Sequence, residues 1–259
     1  MEQSRRPGGT PIVGTLSRGS RPSWRPARLA SVIVEELAQQ IIGGTLAEGD
    51  VLPTEPVLCE QFGFSRTVVR EGLKLLEERG LVRVEQGRGT TVQPRDSWNM
   101  LDPVVLRIAL AHDDDLSLLD DLVAVRRVLE HEMTLAAAPR LTSEELDALA
   151  ATIEQMDRSY DDYDRFRSLD NAFHSVVMKA SGNEVGLTIV RVIHAHGGVT
   201  KPLASGATRA ALRRTSRQHR AIYEALASRD GERAAELMSG HIDSNWAERR
   251  RRAPTLDTS

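Results

Sequence analysis

All seven histidines of this chain lie between His112 and His241, and some of them share with Asp170 the spacing of a metal site. Asp170 and His174 are four residues apart, so on a helix both project from one face. His219 and His241 fall on what read as two successive helices, and antiparallel helices joined by a short turn bring such positions opposite one another. One carboxylate and three imidazoles converging inside a bundle suit a divalent transition ion, Zn²⁺ first and Ni²⁺ or Mn²⁺ as alternatives. Each ring would then need a further acceptor to fix its tautomer. By spacing alone, the Asp-x-x-x-His pair reads equally well as a hydrogen bond on a helix surface. His112, His131, His194 and His196 read as polar surface; His194 and His196 are two apart, so at most one faces a cavity.

Arg126 and Asn245 also belong to this chemistry. Arg126 and Glu130 are four apart, which makes either an intrahelical ion pair or a guanidinium free to hold a carboxylate bidentately. Asn245, one turn after His241, is placed to face the same cavity. Neither Glu130 nor Glu184 shows a link to the metal set in the sequence. H-E-x-x-H, G-x-S-x-G and phosphate-cradling loops are all missing, so catalysis is not expected.

The elements that position these residues read as helices throughout. Apolar periodicity predicts helices over Asp102 to Ala111, Leu116 to Ala138, Ser143 to Ser159, Tyr163 to Ala180, Asn183 to Thr200, Thr208 to Ser228 and Gly231 to Arg250. Thr142 with Glu145 has capping-box spacing, and Asp230 precedes the last helix as a cap. The expectation is an all-α bundle of about seven helices.

Upstream the pattern differs. A helix from Arg28 carries Leu29, Val32, Ile33, Leu37, Ile41 and Ile42 and stops at Gly43-Gly44. An extended run ends at Pro53, and Thr54 caps a short helix from Glu55 to Phe62. Gly63 breaks it, and Ser65 caps the next, Arg66 to Arg79. Two β-like runs follow, Leu81 to Val84 and Thr90 to Val92, around the Gly-rich tip Glu85 to Gly89. Three helices and a two-stranded ribbon form a winged helix-turn-helix, whose third helix enters a major groove. Arg66, Thr67 and Arg70 occupy its leading exposed turn, with Ser65 suited to phosphate and Arg88 at the wing tip.

Composition bounds the alternatives. The chain is 40% hydrophobic and 27% charged, with net charge −3. Residues 1–93 carry 12 Lys+Arg against 11 Asp+Glu, and the remainder 22 against 26, an asymmetry of the right sign for a DNA-binding front end. No apolar run approaches the roughly 20 residues needed to cross a bilayer. The single cysteine, Cys59, excludes an internal disulfide, reads as a small core residue and fits a cytoplasmic, nucleoid-associated protein. The expected organisation is a disordered tail over 1–27, a winged helix-turn-helix over 28–93, a linker over 94–100, a helical effector-binding and dimerisation domain over 101–250, and a second tail over 251–259.

Leu29 to Val92 resembles the DNA-binding domain of the GntR family. The matching residues are the run from Gly44 to Glu55 (GTLAEGDVLPTE), SRTVVREGLKLLEERGLV from Ser65 to Val82, and the wing QGRGTTV from Gln86 to Val92. The resemblance implies DNA contacts from Ser65, Arg66, Thr67, Arg70, Gly87 and Arg88. One position departs: many members carry Arg after the LPxE motif, where this chain has Pro56. Leu101 to about Arg250 resembles the FCD effector domain of the FadR branch. It does so through Val123 to Ala138, Asp170 to Asn183, Arg217 to Leu226 and Ala234 to Ile242. This resemblance implies Asp170, His174, His219 and His241 as metal ligands and Arg126 as a wall of the effector cavity, and it argues against an acyl-CoA ligand. Trp98 to Leu110 resembles regulators of sugar-acid catabolism, implying a galactonate- or gluconate-like effector, with lactate or a dicarboxylate as alternatives. The expected protein is a homodimeric repressor on a palindromic operator. A metal sensor and a metal-dependent enzyme acting on hydroxy-acids are the competing readings.

Overall fold

The computed structural model describes residues 26–85, 87–196 and 208–252. The chain falls into two compact units, Met1–Val105 and Leu106–Ser259.

In the first unit, α1 (Pro26–Ile42), α2 (Glu55–Phe62) and α3 (Arg66–Glu78) precede an antiparallel ribbon of β1 (Val82–Glu85) and β2 (Gly89–Val92). The core is the set its periodicity marks: Ile33, Leu37 and Ile41 of α1, Leu58 and Phe62 of α2, and Val69, Leu73 and Leu76 of α3 are buried. Gly72 lets α1 and α3 close up, since a Cβ there would stand 3.0 Å from Ile33. The ribbon pairs Val82 with Val92 and Glu85 with Gly89. The segment before α2 joins its edge, with Leu52 N–H donating to Thr90 and Val92 N–H donating to Asp50. Gln86, in the expected wing tip, lies outside the described residues.

Thr54 and Ser65 hold N-cap backbone conformations, but neither hydroxyl accepts a bond from its helix, contrary to expectation. Pro56 stands in the first turn of α2 and has no N–H to offer Thr54. The Ser65 side chain stays exposed, where solvent can satisfy it.

After the ribbon, a short 3₁₀ turn (Arg95–Ser97) packs against the end of α3. Arg79 pairs with Asp102 at 3.1 Å, Asn99 N–H donates to the Arg79 carbonyl, and Trp98 Nε1 donates to Gln93 at 3.1 Å. The expected linker is therefore ordered against the winged helix itself.

From α4 (Pro103–Ala111) onward, the described residues form helices only: α5 (Ser117–Ala137), α6 (Ser143–Asp157), α7 (Tyr163–Ala180), α8 (Glu184–His196), α9 (Arg209–Ala227) and α10 (Gly231–Arg252). Residues 197–200, expected to continue α8, lie outside the described set. The main core gathers Met133 of α5, Leu149 and Ile153 of α6, Phe173 and Val177 of α7, Ile222 and Leu226 of α9 and Met238 of α10. The Thr142–Glu145 capping box forms in full, and Asp230 accepts from the Arg233 N–H at 3.0 Å. The mainly α architecture with a small wing agrees with the expectation from sequence.

Gly80 ends α3 with φ +74, and a Cβ there would lie 2.0 Å from the Ser97 carbonyl oxygen. Gly63 has φ +69 but open space around its Cβ position. Gly80→Ala should therefore destabilise the first unit by roughly 1–3 kcal/mol beyond the left-handed backbone cost that Gly63→Ala also carries. Urea unfolding of both variants measures the difference; equal losses would show that the close approach is relieved without cost.

Candidate functional site

α7 turns Asp170 and His174 inward because they share its buried stripe with Phe166, Phe173 and Val177. His219 comes from α9 and His241 from α10, and all three imidazoles are buried. One ligand atom from each of these residues and Asp170 lies within 4.8 Å of every other. Nε2 of His174 is 3.3 Å from Nε2 of His241 and 3.4 Å from Nε2 of His219, and Oδ1 of Asp170 is 3.5 Å from Nε2 of His219. The four residues picked out by spacing converge.

Three acceptors turn the rings the same way. Nδ1 of His174 donates to Glu130 Oε2 at 2.5 Å, and Nδ1 of His219 to the Thr215 carbonyl at 3.0 Å. Nδ1 of His241 donates to Gln218 Oε1 at 3.1 Å, while the Gln218 amide nitrogen is occupied by Ser244. Each Nδ1 thus keeps its proton, and each Nε2 lone pair faces the centre. Burial pushes His219 down to about 4 and holds His241 well below the usual imidazole range. Burial opposes ionisation of Asp170, yet the surrounding imidazoles of His219, His174 and His241 outweigh it and hold the carboxyl below its ordinary value.

Glu130 is the residue whose role the sequence concealed. It is wholly buried, accepts from Arg126 Nε at 2.5 Å and from His174, and lies 3.0 Å from His194 Nε2. Burial works against its charge, but Arg126 and His174 prevail and keep it ionised. His194, expected at the surface, has a side chain only 10% exposed because α8 carries it onto Glu130. Glu130, His174 and His194 form a second group with metal-ligand geometry. Of these supports, sequence spacing had singled out the Arg126–Glu130 pair; Thr215, one turn before His219, emerges from the structure. Glu184 is exposed at the start of α8. His131 is half-buried, with Nδ1 near Ser239 and the Ala235 carbonyl. His112 is exposed, and the His196 side chain lies outside the described residues.

Two clefts open on this centre, and Arg167, Asp170 and Arg249 line both. One continues past Thr215 and Asn245, the other past Arg126, Asn171 and His194. Arg126 also places Nη2 at 3.2 Å from His174 Nε2, so it is ion-paired and on the cavity wall at once. The Asn245 amide nitrogen is 3.4 Å from His241 Nε2, and its oxygen accepts from Thr215.

On the first unit, Ser65, Arg66, Thr67 and Arg70 are exposed along the leading turn of α3. Arg70 is held by Glu55 of α2 through Nε contacts of 2.8 and 3.0 Å. Gly87 takes φ +82 at the wing, and Arg88 is 83% exposed beside Glu85. Pro56 is exposed near the start of α2.

Residues 29–92 match the model of bacterial regulatory proteins of the gntR family, and residues 121–244 match the FCD domain. The galactonate operon transcriptional repressor of Escherichia coli K12 is 30% identical over 82% of this chain and 93% of its own length. The chain belongs to the GntR family. It is a DNA-binding transcription regulator with an FCD domain, and relatives of this kind are regulators, not enzymes. The uncharacterized GntR relative YieP of Escherichia coli K12 is 31% identical over 80% of this chain and 89% of its length. The repressor NanR of Cronobacter sakazakii is 28% identical over 89% and 88%. The solved structure of Lar, described as controlling the Listeria monocytogenes agr system, shares the fold with TM-score 0.55 and 20% identity, covering 88% of this chain and 98% of that one.

The buried imidazoles set a pH dependence. His219 and His194 are both pushed down to about 4 in the folded protein, from 6.5. Between these values the unfolded chain takes up protons that the folded chain refuses. Stability of the chelator-treated protein should therefore fall as pH drops from 6.5 toward 4, by about 1.4 kcal/mol per pH unit for each such ring. Asp170 and Glu130, held below their ordinary values, add their loss only under about pH 4. Denaturant midpoints at pH 7.5, 6 and 5 check this; a flat profile would mean the rings are protonated in the fold.

Proposed function

We propose that this GntR-family regulator is a homodimeric repressor of a carbon-catabolism operon. A small carboxylic acid, a sugar acid such as galactonate or gluconate, releases it by binding beside a divalent metal. Asp170, His174, His219 and His241 hold the ion, Zn²⁺ first with Ni²⁺ or Mn²⁺ as alternatives. The observation that carries the metal is the shared direction of the three rings. With every Nδ1 already donating, three Nε2 lone pairs and a carboxylate face one another at 3.3–3.5 Å. Such a donor set repels itself unless positive charge stands among it, and its mix of N and O atoms fits these ions. The galactonate operon repressor among the relatives supports the class of acid.

The ion supplies a Lewis-acidic point to which a hydroxy-carboxylate can chelate. Glu130, Thr215 and Gln218 keep the rings turned toward it. Arg126, on the wall of one cleft, offers a guanidinium to the acid, and Asn245 a side-chain amide from the other. On the first unit, Arg66 reads base edges, Arg70 is pre-positioned by Glu55, and Ser65, Thr67, Gly87 and Arg88 meet the DNA backbone or groove. A dimer presents two such helices to a palindromic operator. Effector binding weakens that complex by a coupling of about 1–3 kcal/mol.

Titration of metal-free protein, first with Zn²⁺ and then with galactonate, tests the scheme against operator DNA. Release by metal alone, with no further effect of acid, makes the ion itself the effector and overturns the acid. His174→Ala should cost most of the bound metal, and with it the thermal stabilisation of roughly 4 kcal/mol expected at a thousandfold excess over Kd. Arg66→Ala should keep its metal and lose about 10- to 100-fold in operator affinity. An unchanged footprint for Arg66→Ala would move the reading helix elsewhere.

A further inference from the structure

The walls of the two clefts carry more positive charge than one carboxylate balances. Arg126 is matched by Glu130, and Glu248 by Arg214. Asp170 is the remaining acid on either wall, and it belongs to the proposed metal set. With neutral imidazoles, a divalent ion on Asp170 leaves one net positive charge. Arg167 and Arg249 add two more. Both are half-buried, both line both clefts, and neither guanidinium bonds to an anion among the described residues. A half-buried cation without a bonded counter-ion is costly, and two of them lining the same clefts repel each other. The Arg214–Glu248 pair between α9 and α10 shows the alternative, in which the guanidinium is neutralised locally.

We infer that the effector carries two anionic groups. Its hydroxy-carboxylate end lies at the metal set, and a second carboxylate or phosphate lies between Arg167 and Arg249. Planar guanidinium forks suit both kinds of oxyanion, so the geometry defines the charge and not the atom at its centre. Thr215, Asn171 and Asn245 on the walls provide hydroxyl and amide groups for the hydroxyls between the two ends. The inference rests on the proposed acid-and-metal reading of the same site and specifies what that acid must carry.

Calorimetric titration of the metal-loaded, full-length protein with matched pairs tests it. Galactonate is compared with galactarate, and gluconate with 6-phosphogluconate, so that each pair shares a six-carbon backbone and differs in the second anion. At least one dianion should bind about tenfold or more tightly than its monoanionic partner. The stronger of the two dianions then identifies carboxylate or phosphate. In the Arg167→Gln, Arg249→Gln double variant this preference should fall toward one. Arg167→Lys, which keeps the charge, should retain part of it and separates loss of charge from loss of fold. Equal or tighter binding of both monoanions overturns the second anion and leaves the acid effector standing. A preference unmoved in the double variant overturns the assignment to Arg167 and Arg249. Failure of all four acids to bind metal-loaded protein overturns the acid effector and this inference together.

Discussion

Three imidazoles packed against a carboxylate in the middle of a helical bundle must be oriented from behind, because all three side chains are buried. Glu130, the Thr215 carbonyl and Gln218 each take one Nδ1 proton, from three different directions. Removing any one of them frees a ring to turn or to hold its proton on the wrong nitrogen. The rest of the second unit is arranged around this demand. α7 contributes two inward groups on one stripe, α9 and α10 one each, and α5 brings the buried Glu130 with Arg126 to neutralise it. Phe173 closes the site from the apolar side, its ring 4.5 Å from that of His219 in an edge-to-face contact.

Electrostatics explain why Glu130 can be buried at all. A lone carboxylate in that position would take up a proton. Here Arg126, His174 and His194 supply its hydrogen bonds, so it stays ionised and serves as an acceptor. The intrahelical pair that spacing suggested for Arg126 and Glu130 is thus present, and through Glu130 it also orients the buried ring of His174.

The first unit solves a different problem, that of holding a short helix and a two-stranded ribbon rigid with little core. Gly72 brings α1 and α3 close together, and the segment before α2 adds hydrogen bonds to the ribbon. The Arg70–Glu55 contact links α3 to the LPTE motif, so the Glu of that motif positions an exposed arginine instead of leaving it to sample rotamers. Pro56, the departure from the family pattern, removes an N–H that Thr54 would otherwise cap.

Local pattern was enough for the winged helix-turn-helix and the helical second half; it picked out Asp170, His174, His219 and His241 as candidates, and the family resemblance tipped the choice toward them. Periodicity, glycine stops and i,i+4 spacing are properties of neighbouring residues, and each of these features is written in them. Domain-scale motifs added the family. His194 and Glu130 were beyond that reach. Their contact spans 64 residues and depends on how α8 lies across α5, which no spacing encodes. The hydroxyls of Thr54 and Ser65 matched a capping pattern but accept no bond from their helices: Pro56 removes one donor near Thr54, and the exposed Ser65 side chain is left to solvent. The charge imbalance at Arg167 and Arg249 likewise belongs to the tertiary structure. Sequence shows two ordinary helix arginines, and only packing shows that both line the same two clefts with neither guanidinium bonded to an anion among the described residues.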